Sequence, residues 1–470
     1  MKRYLLPLMA LFIVVCGLTS CLGDEEETVT YDDTGLIAFS LGTLNRYQHT
    51  TTATGADSIY KSTIDGSNYK FYIDQLTHEI YNPDSLPCGT DVAHVVCSLT
   101  TKNAGQTAIQ SMTSDSLSMY NASDSLDFTQ PRKFWVYSNR GTSKAIYTIR
   151  VNVHQEEGDV FKWSLLKDQE QNIATTPKLK MAATGNHALA FLLTSDGSST
   201  VMMDLTKRVA EGSDSEFEAL ELGADAIDNV VMQSGKVLVL SGGDLHVIGT
   251  DDNGGLTLTK LTNRNTDGIA RLVGASTKEI YALGTDGRLK ASVDQCLTWT
   301  DEPLDNEATL LPTGHFNCIT QPLRTNPEVE HVILTGTREG QTQAEVWMKL
   351  VDTDKSATDA QWMRVEQSSR ANQRLYAQEM LTVSPYDEGL LSFGYVSGAF
   401  APILLSKDGG INWRQNGLYT FPEGFSSTAV FAAAVDGQQN IWMACGGSGQ
   451  IWRGRLNRLG WAQPQKVFTE

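Results

Sequence analysis

The chain has 470 residues, 20% of them charged and 41% hydrophobic, which suits a folded protein too long for a single growing core, so two domains are expected. A formal charge of −18 repels phosphate backbones and excludes a nucleic-acid partner. Forty glycines against thirteen prolines point to many tight turns rather than to disorder. Of the seven cysteines, Cys16 and Cys21 fall in the N-terminal segment. The remaining Cys88, Cys97, Cys296, Cys318 and Cys445 are odd in number and lack C-x-x-C spacing, so no zinc site is expected. Cys88 and Cys97 are the one near pair, readable as a disulfide or as two small buried thiols.

Lys2 and Arg3 precede a short apolar run, Leu5 to Val15, followed by Leu18-Thr19-Ser20-Cys21. A charged start, a short apolar stretch and small residues at its end read as a secretory signal over residues 1–20. Leu-Thr-Ser-Cys resembles the lipobox of bacterial lipoproteins, which implies lipid attachment at Cys21 and a membrane anchor without a spanning helix. Asp24-Glu25-Glu26-Glu27, with Asp32 and Asp33, forms an acidic tether over 21–34. Beside the lipobox, that run is similar to the export signal that sends lipoproteins of Bacteroidetes to the outer face of the outer membrane.

Residues 35–157 read as all-β. Short strand-like runs occur at Leu36–Leu41, Tyr69–Asp74 and Phe134–Ser138. From Tyr147 to His154 the residues alternate, with Tyr147, Ile149, Val151 and Val153 on one face. About 120 residues of short strands and polar turns suggest a β-sandwich. The segment resembles the immunoglobulin-like or cadherin-like modules of Bacteroidetes surface lipoproteins. Asp-Ser-Ile or Asp-Ser-Leu recurs from Asp57, Asp84, Asp115 and Asp124, readable as turn chemistry or as the short O-glycosylation signal of such exported proteins.

From 158 to 470 bulky residues open strands at a long period: Trp163, Phe217, Leu258, Trp299, Trp362, Trp413 and Trp461, in steps of 54, 41, 41, 63, 51 and 48. These steps are near the length of a four-stranded propeller blade, and about six blades are expected, with Trp163 or Trp461 supplying the closing strand. Ser406-Lys407-Asp408-Gly409-Gly410-Ile411-Asn412-Trp413 reads as a hairpin stapled by its own side chains. Ser406, Asp408, Gly410 and Trp413 resemble the Asp box of sialidase-like propellers, with Asn412 in place of Thr. Ser292, Asp294, Thr298 and Trp299 give a second copy, with Cys296 where Gly is expected, and Asp251, Asn253, Gly255, Thr257 and Leu258 a weaker one. Trp299, Trp362 and Trp413 are expected to be buried between blades. Anchor, Ig-like module, Asp-box propeller and the ending Gly449 to Trp461 together resemble an uncharacterised family of Bacteroidales lipoproteins, from which no activity is carried over.

No catalytic constellation is visible. Sialidases open an arginine triad with Arg-Ile-Pro near the first blade; that tripeptide is absent and Trp163 to Leu193 contains no arginine. No pair of histidines has metal-ligand spacing, Asp251-Asp252-Asn253-Gly254 reads as a hairpin rather than a calcium loop, and no cofactor is expected. The loops between blades, taken as Asp305–Asn317, Ser368–Ala377 and Tyr419–Ser426, hold His315, Phe316, Arg370, Arg374, Tyr376, Tyr419 and Phe421. Of these Arg370, Arg374, Tyr376, Tyr419 and Phe421 are the candidate ligand-binding residues, since flat rings suit sugars and arginines fork onto acidic groups. The same rings could instead cover loop ends and pack between blades. The expected function is a surface binding module for a glycan or a partner protein. A glycoside hydrolase with an unrecognised carboxylate pair and a structural partner of an envelope complex are the alternatives.

Overall fold

The computed structural model describes residues 30–51, 57–210, 222–354 and 360–460. The lipobox with Cys21, the acidic run, Phe217 and Trp461 lie outside the described residues. The chain divides into two units after Glu157. No helix among the described residues is long and apolar enough to cross a membrane.

The N-terminal unit is built of strands that bury alternate residues. A pair formed by Leu36–Leu41 and Cys97–Thr101 and a six-stranded sheet enclose one core, which includes Leu36, Phe39, Ile80, Phe134, Tyr147 and Ile149. The sheet is mixed, because Glu79–Tyr81 runs parallel to Lys144–Arg150. The strand expected from Tyr147 to His154 starts earlier and ends at Arg150. Cys88 and Cys97 are both free thiols, Cys97 buried with its sulfur 3.9 Å from the Tyr120 hydroxyl.

The C-terminal unit is a β-propeller of six blades. Five follow in chain order, and their innermost strands are Leu179–Thr184, Val230–Gln233, Ile269–Ala275, Gly314–Leu323 and Met380–Tyr386. The sixth blade takes three strands from the C-terminal end, Phe431–Val435, Ile441–Cys445 and Ile451–Leu456. Its outermost strand is Phe161–Lys167, from the start of the unit. Trp163 therefore supplies the closing strand. The recurring bulky residues share one place in this scheme: Trp163 and Leu258 lie in the fourth strand of a blade, and Trp299, Trp362 and Trp413 immediately precede one. Trp362 and Trp413 are fully buried between blades. Trp299 is only half-buried, contrary to expectation, because its indole N–H turns to the Asn265 carbonyl at 2.9 Å and holds the ring near the rim. Leu258 is 50% exposed.

Hydrogen bonds stitch each blade to the next. The Thr184 hydroxyl donates to Gly235 O at 2.7 Å, Leu272 N to Asn229 Oδ1 at 2.8 Å, and the Thr320 hydroxyl to Ala275 O at 2.7 Å. Val383 N donates to Asn317 Oδ1 at 3.1 Å, Leu456 N to the Tyr386 hydroxyl at 2.8 Å, and Gly437 N to Gly185 O at 2.7 Å. Buried groups without such partners would each cost about 1–3 kcal/mol.

The 406–413 hairpin closes on its own side chains. The Ser406 hydroxyl donates to Asp408 Oδ1 at 3.0 Å and accepts from Gly410 N at 2.9 Å, while Asn412 donates its backbone N–H to Oδ1 and its amide to Oδ2 of Asp408. Gly409 and Gly410 sit at φ +69 and +93, which a side chain would strain. The 292–299 hairpin repeats the pattern, with the Thr298 hydroxyl on Asp294 Oδ2 at 2.6 Å and Cys296 N on the Ser292 hydroxyl at 2.9 Å. The Thr298 hydroxyl bond, with backbone N–H groups, holds the Asp294 carboxyl down at about 2.

Two outcomes follow. Gly454 faces Phe161 and Trp163 so closely that a Cβ would lie 2.8 Å from ring atoms of both. Gly454→Val should therefore lower unfolding free energy by about 1–3 kcal/mol in urea denaturation. A folded pKa below the unfolded value means stability that is whole above about 3.8 and fades as pH falls through about 2. The melting-temperature gap between the wild type and Asp294→Asn should therefore narrow from pH 5 to pH 2.

Candidate functional site: the central cavity

The six innermost strands leave a central cavity of about 840 Å³, lined by residues of every blade. Most of the lining is apolar because inner strands bury both faces between blades. Charge gathers at one mouth, where the inner strands begin. Lys178 Nζ lies 2.6 Å and Arg271 Nη2 2.7 Å from the Asp228 carboxylate, so two cations share one anion. The Arg271 guanidinium also lies over the Phe316 ring, 5.3 Å from its centroid.

Two backbone irregularities place these groups. The inner strand of the third blade shifts register between Ile269 and Arg271, and that of the fourth between Gly314 and Asn317. Such bulges bend a strand and re-aim side chains. At the second bulge His315 adopts φ 48, in the left-handed region, with its Nδ1 3.0 Å from the Thr337 hydroxyl. Burial, helped by the nearby Lys178 and Arg271, holds the His315 pKa below its usual value. Lys180, two residues into the first inner strand, is half-buried, and its ammonium has no hydrogen-bond or ion-pair partner among the described residues. Burial pushes Lys180 down to about 8. Glu379 stands exposed at the same end, one carboxylate oxygen accepting from Ser397 N at 2.8 Å.

The expected loop face is only partly assembled. Arg370 is exposed, and Arg374 spends its guanidinium on the carbonyls of Ser368 (2.6 Å) and Ser369 (2.9 Å). Tyr376 is 41% exposed with its hydroxyl tied to Ala371 O at 2.6 Å. Phe421 is half-buried and stacked on Phe425, ring centroids 4.8 Å apart. Tyr419 does not face solvent. It is 2% exposed, packs against Phe161 and Tyr386, and directs its hydroxyl to Asp387 at 3.3 Å. Only two residues of fourth strand, Arg414 and Gln415, precede it, so the chain folds back at once and drives the ring into the seam between the fifth and sixth blades. His315 and Phe316 belong to an inner strand rather than to a loop. Sequence reasoning passed over Lys178, Lys180, Asp228 and Arg271. The available signal was two lysines at the start of an otherwise apolar strand, Lys178-Leu179-Lys180-Met181.

The most buried ionic cluster lies elsewhere, between the third and fourth blades. Lys349 Nζ, 1% exposed at its side chain, sits 2.8 Å from Glu279 and 2.6 Å from Glu302; Tyr281 donates to Glu279 and Trp362 to Glu302. Its carboxylates are closed off from solvent and oriented by inter-blade partners, so the cluster braces a seam.

Six sheets around a lined cavity define a β-propeller protein with an N-terminal β-domain. The chain belongs to the DUF6242 family: residues 157–464 match the DUF6242 beta propeller domain, and residues 39–151 match the DUF6242 N-terminal domain of unknown function. No curated protein matches the chain. Among solved structures it is similar to the six-bladed fucose-recognising lectin of Aleuria aurantia (10% identity over 60% of this chain and 93% of the lectin, TM-score 0.31). It is also similar to BamB from Moraxella catarrhalis (9% identity, 58% and 84% covered, TM-score 0.28) and to a Trichoderma reesei family AA12 protein (10% identity, 63% and 96% covered, TM-score 0.34). Likenesses this distant say nothing of what this chain binds.

Removing the Tyr419 ring should leave a cavity in the seam and cost about 3–5 kcal/mol. Tyr419→Ala is therefore expected to melt well below Tyr376→Ala, and equal melting temperatures for the two would contradict the packing role.

Proposed function

We propose that this chain is a lipid-anchored surface protein of the outer membrane whose propeller serves as a non-catalytic binding module for a glycan or a partner protein. The observation that carries the reading is the open central cavity with a charged mouth, whereas the Lys349 cluster is sealed in a blade seam. Cavities of roughly 300–1,000 Å³ suit small ligands. Cys21 carries the lipid, residues 1–20 are removed, and the acidic run directs the protein outward. The β-sheets of the N-terminal unit over a single core suit an Ig-like spacer, and the 292–299 and 406–413 hairpins act as Asp boxes that stiffen blades.

The test has two arms. Metabolic labelling with palmitate should mark the protein and fail after Cys21→Ala, and protease added to whole cells should degrade it; labelling that survives the substitution contradicts the anchor. A glycan and host-protein binding screen of the purified chain should return a ligand. Release of reducing sugar from a bound glycan would instead establish a hydrolase.

A further inference from the structure

We propose that the mouth of the central cavity is a carboxylate-binding site, in which Lys180 and Arg271 receive the acid group of a sugar-sized organic anion. This rests on the binding-module reading and names the ligand chemistry. A chain of net charge −18 disfavours anions almost everywhere, yet here Lys178, Lys180 and Arg271 converge from two blades around a single half-buried carboxylate, Asp228. Asp228 satisfies Lys178 and one nitrogen of Arg271, which leaves the Lys180 ammonium and the rest of the Arg271 fork without a partner among the described residues. A half-buried ammonium without an anion is costly, and one incoming carboxylate would complete it.

The backbone agrees independently. Bulges at Arg271 and at His315–Phe316 break the regular pairing of two inner strands beside the cavity. Gly274 is required just beyond the first bulge, since a Cβ there would lie 2.1 Å from that of Cys318. Strained backbone kept at a cavity mouth is the pattern of positioned binding groups. The donors are side chains spread over a wide, partly apolar cavity, not a compact nest of backbone N–H groups, which suits an organic acid better than free phosphate. Phe316 supplies an apolar surface beside the cations.

The site also sets a pH dependence. The charges that reach Lys180 are those of Arg271, Lys178, Asp228 and Cys318, and Cys318 is itself held up at about 12 by burial. With Lys180 near 8 in the free protein, a bound carboxylate raises its pKa, so affinity should be full at pH 7 and decline as pH rises past about 8.

The experiment is calorimetric titration of the purified chain with D-glucuronate, D-glucose and inorganic phosphate at low salt, with wild type, Lys180→Met and Lys180→Arg. Glucuronate is expected to bind and glucose not to; Lys180→Met should weaken glucuronate at least about tenfold while Lys180→Arg retains most of the affinity. Wild-type affinity should fall between pH 7 and 9.5, and the loss should vanish in Lys180→Arg. No glucuronate binding, or an affinity unchanged in a folded Lys180→Met, overturns the proposal. Phosphate binding as tightly as glucuronate overturns the organic-acid assignment. A neutral glycan bound equally by wild type and Lys180→Met would leave the binding module standing and remove this site. If Lys180→Met fails to fold, the pH profile of the wild type decides, since a site that does not use this ammonium predicts no loss of affinity as pH rises past about 8.

Discussion

Closure of the ring is the constraint on which the C-terminal unit depends. Six sheets laid side by side would expose two apolar flanks and an open sheet edge, and open edges invite pairing with other chains. The strand Phe161–Lys167 covers the edge of Ile451–Leu456 by pairing with it, and so joins residues nearly three hundred positions apart in the chain. Contacts so distant in sequence gain nothing until most of the ring is in place, so closure links all six blades into one cooperative unit. Gly454 marks how tightly this join is made, since its missing side chain leaves room for the rings of Phe161 and Trp163, which meet edge to face at 89°.

Closure also explains why polar groups are tolerated between blades. Apolar seams, with Trp347, Trp362 and Trp413 fully buried, supply the cohesion, and each seam adds a few directed bonds. The Lys349 cluster shows the balance. Burial raises the pKa of Glu302, and only Lys349 and the Trp362 N–H hold it against protonation. Against well-packed apolar residues such a cluster gains little net energy, while loss of Lys349 alone would leave two buried carboxyls uncompensated. Its value lies in fixing how two blades meet. Asn229 and Asn317 tie successive inner strands together near the end where the charged mouth forms, and Thr320 does so toward the other end.

What the sequence revealed followed the range of the interaction. The 292–299 and 406–413 hairpins were legible because their bonds join residues within four positions of each other. The blade period was legible because Trp163, Trp362 and Trp413 recur at the start of, or within, the outermost strands. Trp299 misled, since an indole can satisfy its N–H at the rim as well as in a seam. Tyr419 misled more, because its burial depends on how few residues the preceding strand keeps. The cavity mouth was hidden altogether. Lys178, Asp228 and Arg271 are some fifty and forty residues apart and meet only through the curvature of the ring, while Gly314 at the fourth-blade bulge is one of forty glycines and does not by itself mark a site.

The central claim is that the charged mouth, rather than the loop face, receives the ligand. A crystal structure of the chain soaked with glucuronate tests it most directly. The account predicts density for the acid at the cavity mouth, with its carboxylate within hydrogen-bond distance of Lys180 Nζ and the Arg271 guanidinium. Density instead against Arg370, Tyr376 or Phe421, with Lys180 untouched, would contradict it.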